Sequence, residues 1–153
     1  MSGNNERERL LHLAQNCAGI NLRRASRAVT HYYDRQLLGA CDLRATQVPL
    51  LVVLYLAGPR TINEMAERLD LDRTTLSRNL KPLEERGLIT VTLGDDQRAR
   101  MVALTQIGAE VLLKALPVWE AAQEDVVQIL GETGFQNLLA NLSKLAEISG
   151  GAG

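Results

Sequence analysis

The sequence is short of the residues that reaction chemistry usually needs. Its 153 residues contain two histidines, His12 and His31, and two cysteines. It has no glycine-rich phosphate loop, no His/Cys/Asp/Glu grouping at metal-ligand spacing and no nucleophile motif, so an enzyme would need a constellation of no known pattern. A non-enzymatic chain without cofactor or metal is expected. Cys17 and Cys41 have neither the number nor the spacing of a disulfide framework, and both fall in apolar-periodic stretches, which predicts reduced, buried thiols. Long apolar runs are missing too. The longest, Val48 to Ala57, is broken by Pro49 and stopped by Gly58-Pro59, well short of the roughly 20 residues of a membrane span. The first ten residues, MSGNNERERL, mix acids with arginines and lack the apolar stretch of a secretory signal, so a cytoplasmic location is expected.

What is present is enough apolar side chain, 46% of residues, for one compact domain. The net charge of −1 conceals a division along the chain. Residues 1–100 hold 15 Lys/Arg against 12 Asp/Glu, and residues 101–153 hold 2 against 6, a difference of +3 versus −4. Where the cations lie therefore matters more than their sum.

Helical spacing dominates. From Asn5 to Leu38 the residues Leu10, Leu13, Cys17, Ile20, Ala25, Ala28, Val29, Tyr32 and Leu37 recur mostly at three- and four-residue steps, which predicts one long amphipathic helix. Thr46 is the expected N-cap of a second helix through Leu56, apolar nearly all round and so expected to be buried. Thr61 and Glu64 have the spacing of a capping box opening a third helix, with Ile62, Met65, Ala66 and Leu69 inward. Asp72 caps a fourth, with Leu76, Leu80 and Leu83 as its inner stripe and Gly87 as its stop. Only Asp70-Leu71 separates the third from the fourth, the tight turn of a helix-turn-helix.

Residues 88–93 and 100–104 are β-branched or alternating and flank the polar stretch 94–99, the pattern of a β-hairpin placed as a wing. Residues 106–149 return to helical spacing, with breaks expected around Gly131 and Gly134 and a frayed tail at 150–153. The fold class expected is mainly α with a small β-hairpin wing: a winged helix-turn-helix core over 44–105, flanked by terminal helices at 5–39 and 106–149. Those helices carry more apolar residues than one small core can cover, among them Leu116, Trp119, Ile129, Leu138, Leu142 and Ile148, so a partner surface is expected in a two-fold dimer.

Projected at about 100° per residue, the fourth helix turns Thr74, Arg78 and Lys81 outward, flanked by Thr75 and Ser77, with no carboxylate between Arg73 and Lys81. Such a face suits the DNA major groove, where Arg78 can pair with guanine and the hydroxyls and Lys81 can meet phosphate or thymine edges. A plain solvated face has the same composition; the adjoining turn and wing favour DNA. Thr61 and Arg100 join the DNA-facing set from the neighbouring elements. Arg98 at the hairpin tip suits the narrow minor groove, with Asp96 orienting it; the bland alternative is a surface ion pair. Pro82 predicts a kink after Lys81, or a helix end there with a new start.

The runs Leu71-Asp72-Arg73-Thr74-Thr75-Leu76-Ser77-Arg78-Asn79-Leu80-Lys81-Pro82-Leu83-Glu84-Glu85-Arg86-Gly87-Leu88-Ile89 and Asp96-Gln97-Arg98-Ala99-Arg100-Met101-Val102-Ala103-Leu104-Thr105 resemble the MarR family of bacterial regulators. The second matches that family's wing, an Asp-x-Arg followed by a strand ending in Leu-Thr. The resemblance implies a homodimer joined through the terminal helices, binding a pseudo-palindromic operator and usually repressing. It assigns DNA contact to Arg73, Thr74, Thr75, Ser77 and Arg78, the minor groove to Arg98 and its anchoring to Asp96. It also implies release by a small, commonly aromatic and anionic, ligand between helical arms and winged core. Arg23, Arg24, Arg27, His31, Tyr32 and Tyr33 either serve such a ligand or are a solvated face and core packing. Some members of the family sense peroxides through a first-helix cysteine, where Cys17 is the candidate; the alternative is an inert thiol. A winged helix that binds protein rather than DNA is the remaining alternative.

Overall fold

The computed structural model describes residues 2–94 and 99–148, with side chains from residue 5 onward. Along the chain run α1 (Ser2–Asn16), α2 (Ala18–Cys41), α3 (Val48–Ala57), β1 (Arg60–Thr61), α4 (Ile62–Arg68), α5 (Arg73–Glu85), β2 (Ile89–Leu93), β3 (Arg100–Leu104), α6 (Gln106–Leu130) and α7 (Glu132–Ala146). This is the winged helix-turn-helix arrangement expected, with helical arms at either end.

The single long first helix is corrected to two. Cys17 adopts an extended conformation (φ −72°, ψ 116°) between α1 and α2. Side-chain amides add to the local hydrogen bonding: Asn21 Nδ2 donates to the carbonyls of Gln15 and Cys17, each at 3.0 Å, and Asn16 Nδ2 to that of His12 at 2.9 Å, while Cys17 N still donates to Leu13 O at 3.0 Å and Asn21 N to Cys17 O at 3.1 Å. Asparagine competes with helical backbone bonding in this way, a signal that apolar periodicity does not contain. Cys17 and Cys41 are half-buried rather than buried.

Thr46 does not cap α3. The N-cap is Gln47, with no side-chain bond to the helix. Gln47 is buried and its Oε1 instead accepts from Arg44 N at 2.9 Å, while Thr46 Oγ1 lies 3.3 Å from Asn79 Oδ1. Nor is α3 buried all round. Leu50, Leu51 and Leu54 are in the core, but Val52, Tyr55 and Leu56 face outward, Leu56 being 78% exposed.

The hairpin gains a strand. β2 pairs antiparallel with β3 from Ile89↔Leu104 to Leu93↔Arg100, and β3 pairs on its other edge with β1 through Arg60↔Val102 and Thr61↔Met101, in the order β1-β3-β2. Two residues are too short a signal to read as a strand; the free edge of β3 orders them.

α5 runs unbroken across Pro82, so the helix end at Lys81 is excluded. Gly131, at φ +70°, separates α6 from α7, whereas Gly134 lies inside α7. The core is one cluster in which Leu37 of α2, Leu50 of α3, Met65 of α4, Leu76 and Leu83 of α5 and Val102 of β3 have no exposed surface. Gly108 joins arm to wing: a Cβ there would sit 2.0 Å from the Leu88 carbonyl oxygen, so only glycine permits α6 to approach so closely. The expected tail at 150–153 lies outside the described residues.

Candidate nucleic-acid interface

Two caps hold the helix-turn-helix. Glu64 N donates to Thr61 Oγ1 at 3.2 Å, while Thr61 N and Oγ1 donate to Glu64 Oε2 at 2.7 and 2.9 Å, the full reciprocal box. At α5, Asp72 accepts from Thr75 N at 2.8 Å and from Thr75 Oγ1 at 2.6 Å. These donors hold both carboxyls below the usual carboxylate range: at Glu64 the Thr61 backbone and then its hydroxyl, at Asp72 the Thr75 hydroxyl and then its backbone.

The caps also redistribute the hydroxyls. Thr61 and Thr75 each commit the hydroxyl hydrogen to a carboxylate of their own turn, so neither offers it to a phosphate, and both side chains are half-buried. Arg73, Thr74, Ser77, Arg78 and Lys81 are exposed. They share the side of α5 opposite Leu76, Leu80 and Leu83, as its 3.6-residue repeat requires. Among the described residues Arg73 and Arg78 have no ion-pair partner; Lys81 has Glu85 at 3.8 Å.

Arg100, at the start of β3, is brought to Ser77 and Lys81 around a shallow cleft of about 290 Å³ that Ile62, Leu80, Glu84 and Val91 complete. The wing's base and the middle of α5 thus form one surface. Glu84 places one carboxylate at its edge. Asp96 and Arg98, the expected wing pair, lie outside the described residues, as do Asp95 and Gln97; the strand ends beside them are closed by Gly94 N donating to Ala99 O at 2.7 Å.

Two residues that bear on this surface were not singled out from sequence. Asn79 Nδ2 donates to Thr75 O at 3.1 Å and its Oδ1 meets Thr46; Arg86, just beyond α5, reaches back to the end of α2. Their partners are 33 and 44 residues away, and no local pattern signals them.

In the arms, Arg23, Arg24, Arg27 and His31 lie on an exposed face of α2. Tyr32 donates its hydroxyl to Asp125 of α6, which raises the phenol's pKa, and Arg35 stacks 5.8 Å above the ring. Tyr33 is buried, donates to Gln123 Oε1 at 2.5 Å, and is pushed up by that burial. A separate cleft of about 400 Å³ opens between α3 and α6, walled by Val52, Tyr55, Leu56, Leu112, Leu116 and Trp119. None of the arginines named above lines it.

Fold and surface together define a winged helix-turn-helix protein. Comparison with known proteins narrows the class. Residues 42–99 match the MarR family. The M. tuberculosis transcriptional regulator MosR, solved in complex with DNA, is 36% identical over 88% of this chain and 98% of its own, with a TM-score of 0.75. The transcriptional repressor CouR, solved on a 23-mer DNA duplex, is 26% identical over 88% of this chain and 95% of its own, with a TM-score of 0.78. The organic hydroperoxide resistance transcriptional regulator of Bacillus subtilis is 34% identical over 95 residues, 61% of this chain and 64% of that protein, so this match spans slightly under two thirds of the relative. The chain belongs to the MarR family of transcriptional regulators. These relatives are regulators, not enzymes, and among the described residues no helix is long and apolar enough to cross a membrane.

Proposed function

We propose that the protein is a homodimeric transcriptional repressor in the cytoplasm that binds a pseudo-palindromic operator and is released by a small ligand. The observation carrying this reading is the outer face of α5. Arg73, Thr74, Ser77 and Arg78 are exposed there, and the two guanidinium groups have no carboxylate partner among the described residues. Arg78 reads a guanine edge in the major groove, Arg73 and Lys81 bind phosphate, and Arg100 extends the contact along the wing. Arg98, oriented by Asp96, enters the minor groove. Thr61 acts by capping α4, and Thr75 by holding the Asp72 cap of α5. The complexes of MosR and CouR with DNA support this use of the fold.

The dimer joins through the arms at 5–39 and 106–149, placing two copies of α5 about 34 Å apart, one turn of DNA. The ligand has an aromatic or otherwise apolar body, matching the walls of the α3–α6 cleft. Selection of bound fragments from random duplex DNA tests the whole reading. Enrichment of an inverted repeat is expected; a single unrepeated site would remove the dimer, and no enrichment would favour a protein-binding winged helix.

A second reading is a redox-sensing regulator of the same class. It is favoured by one observation, a half-buried Cys17 at the break between α1 and α2, and by the hydroperoxide-linked B. subtilis relative. Oxidation there would disturb the start of α2. Peroxide should then weaken DNA binding of the wild type but not of Cys17→Ser; equal sensitivity of both ends this reading.

A further inference from the structure

We propose that Arg86 is a positioning residue that sets which spacing between operator half-sites the protein accepts. The inference rests on the two-fold DNA-binding reading. It begins at the end of α2, where Cys41 closes the helix and Asp42 turns into the left-handed region at φ 53°, its N–H returning to Leu38 O at 3.3 Å. The last carbonyls of a helix lack intrahelical donors and form the negative end of its dipole. α2 has no basic residue in its last turn.

Arg86 supplies the missing cation from across the fold. Its Nη1 donates to the Asp42 carbonyl, and its Nη2 lies 3.5 Å from both the Cys41 carbonyl and Asp42 Oδ2. The side chain is 31% exposed. A planar guanidinium held at two carbonyls and a carboxylate has little freedom to swing. Arg86 is also the C-cap of α5, its own N–H bonded to Pro82 O at 3.2 Å, so the fork ties the end of the DNA-facing helix to the end of the arm helix.

The segment it grips is itself braced. Asp34 accepts from Ala45 N at 2.7 Å and pairs with Arg44 at 3.8 Å, and Thr46 meets Asn79 in the middle of α5. Leu76, Leu80 and Leu83 bury the inner face of α5, but apolar packing is non-directional. Arg86 supplies direction: it sets the tilt of α5 against α2. In a dimer whose arms are joined, that tilt becomes a distance between two recognition surfaces, and one base pair of spacing changes that distance by only about 3.4 Å.

The test uses the full chain with duplexes carrying the selected inverted repeat, at its own spacing and at one base pair more and fewer. Wild type should prefer its own spacing by about tenfold or more, the scale of one mismatched pair. Arg86→Ala should reduce that preference to about threefold or less, leaving binding to random duplex and its salt slope unchanged. Arg86→Lys, which keeps the charge but not the fork, should fall between. Asp42→Asn, which keeps a residue at home in the left-handed region, should loosen the preference from the other side of the contact and settles the matter if Arg86→Ala does not fold. Undiminished spacing preference in the folded variants overturns the proposal. So does a uniform loss on every duplex with the salt slope lowered by about one, which would place Arg86 on a phosphate. A wild type indifferent to spacing would sink the two-fold reading and this proposal with it, a failure visible before any variant is made.

Discussion

The winged core and the helical arms use the same aliphatic side chains and bury them to different extents. In the core Leu76, Leu80, Leu83, Ile89 and Val102 are all 3% exposed or less, and both short helices have capped N-termini. In the arms Leu116, Trp119, Leu138, Leu139, Leu142 and Leu145 remain between 38% and 47% exposed, and Ile129 reaches 81%. The helix-turn-helix and the sheet close over most of these side chains, with Tyr55 and Leu56 of α3 and Leu93 of β2 left exposed, whereas the arms present an extended apolar surface of the kind that marks an association site. On the proposed two-fold reading, the core would present the DNA-facing groups and the arms would set the distance between two such presentations.

Gly108 is where the regions meet, and Gly108→Ala should break the comparison most severely. The added carbon would lie 2.0 Å from a backbone oxygen and 2.8 Å from Leu104 Cδ1, so α6 must lift off the wing. A loss of about 3 kcal/mol or more is expected in urea unfolding. Gly134→Ala is the control in α7, where an added Cβ would meet Leu130 Cβ at an ordinary contact distance of 3.6 Å; it should be neutral or stabilising by about 0.5–1 kcal/mol.

Next in size is a charge on the exposed arm face. Leu142→Lys should weaken self-association by about a hundredfold or more, since an unpaired ammonium would enter the joint, while the winged core stays folded. Sedimentation across a concentration series, alongside circular dichroism, separates the two effects; an unchanged dimer would place the interface elsewhere.

The smallest effect concerns the caps. Asp72 and Glu64 have folded-state pKa values below their unfolded ones, so the stability they contribute is present above the ordinary carboxylate range and is lost as pH falls through the lowered values. Asp72→Ala should lower Tm by a few degrees at neutral pH, and the gap should close on acidification as the wild-type cap is protonated. A gap constant with pH would mean that the cap's charge contributes nothing.

The same division governs how far the sequence could be read. The capping box, the Asp72 cap and the leucine stripe of α5 were legible because their causes lie within three or four residues of one another, and the hairpin because each strand shows its own β-branched or alternating pattern on either side of a polar turn. The break at Cys17, the strand at Arg60–Thr61 and the diversion of Thr46 to Asn79 were not, because an asparagine side chain, a remote strand edge and a residue 33 positions away decide them. Of the candidate site, the exposure of Thr74, Ser77, Arg78 and Lys81 followed from helical projection, whereas Arg73 was reached only through the family resemblance. The engagement of the Thr61 and Thr75 hydroxyls did not, since composition cannot distinguish a hydroxyl offered outward from one closing its own turn.

Everything functional returns to whether the exposed side of α5 reads a duplex, and Arg78 is the side chain that tests it. Binding of Arg78→Ala to the selected repeat, set against binding to random duplex under the same salt, is the direct measurement. Specific affinity should drop by about 10- to 100-fold and base preference relax at one position of each half-site, with random-duplex binding little changed. An alanine variant that selects the same sequence with the same affinity would show that this face is not where DNA is read.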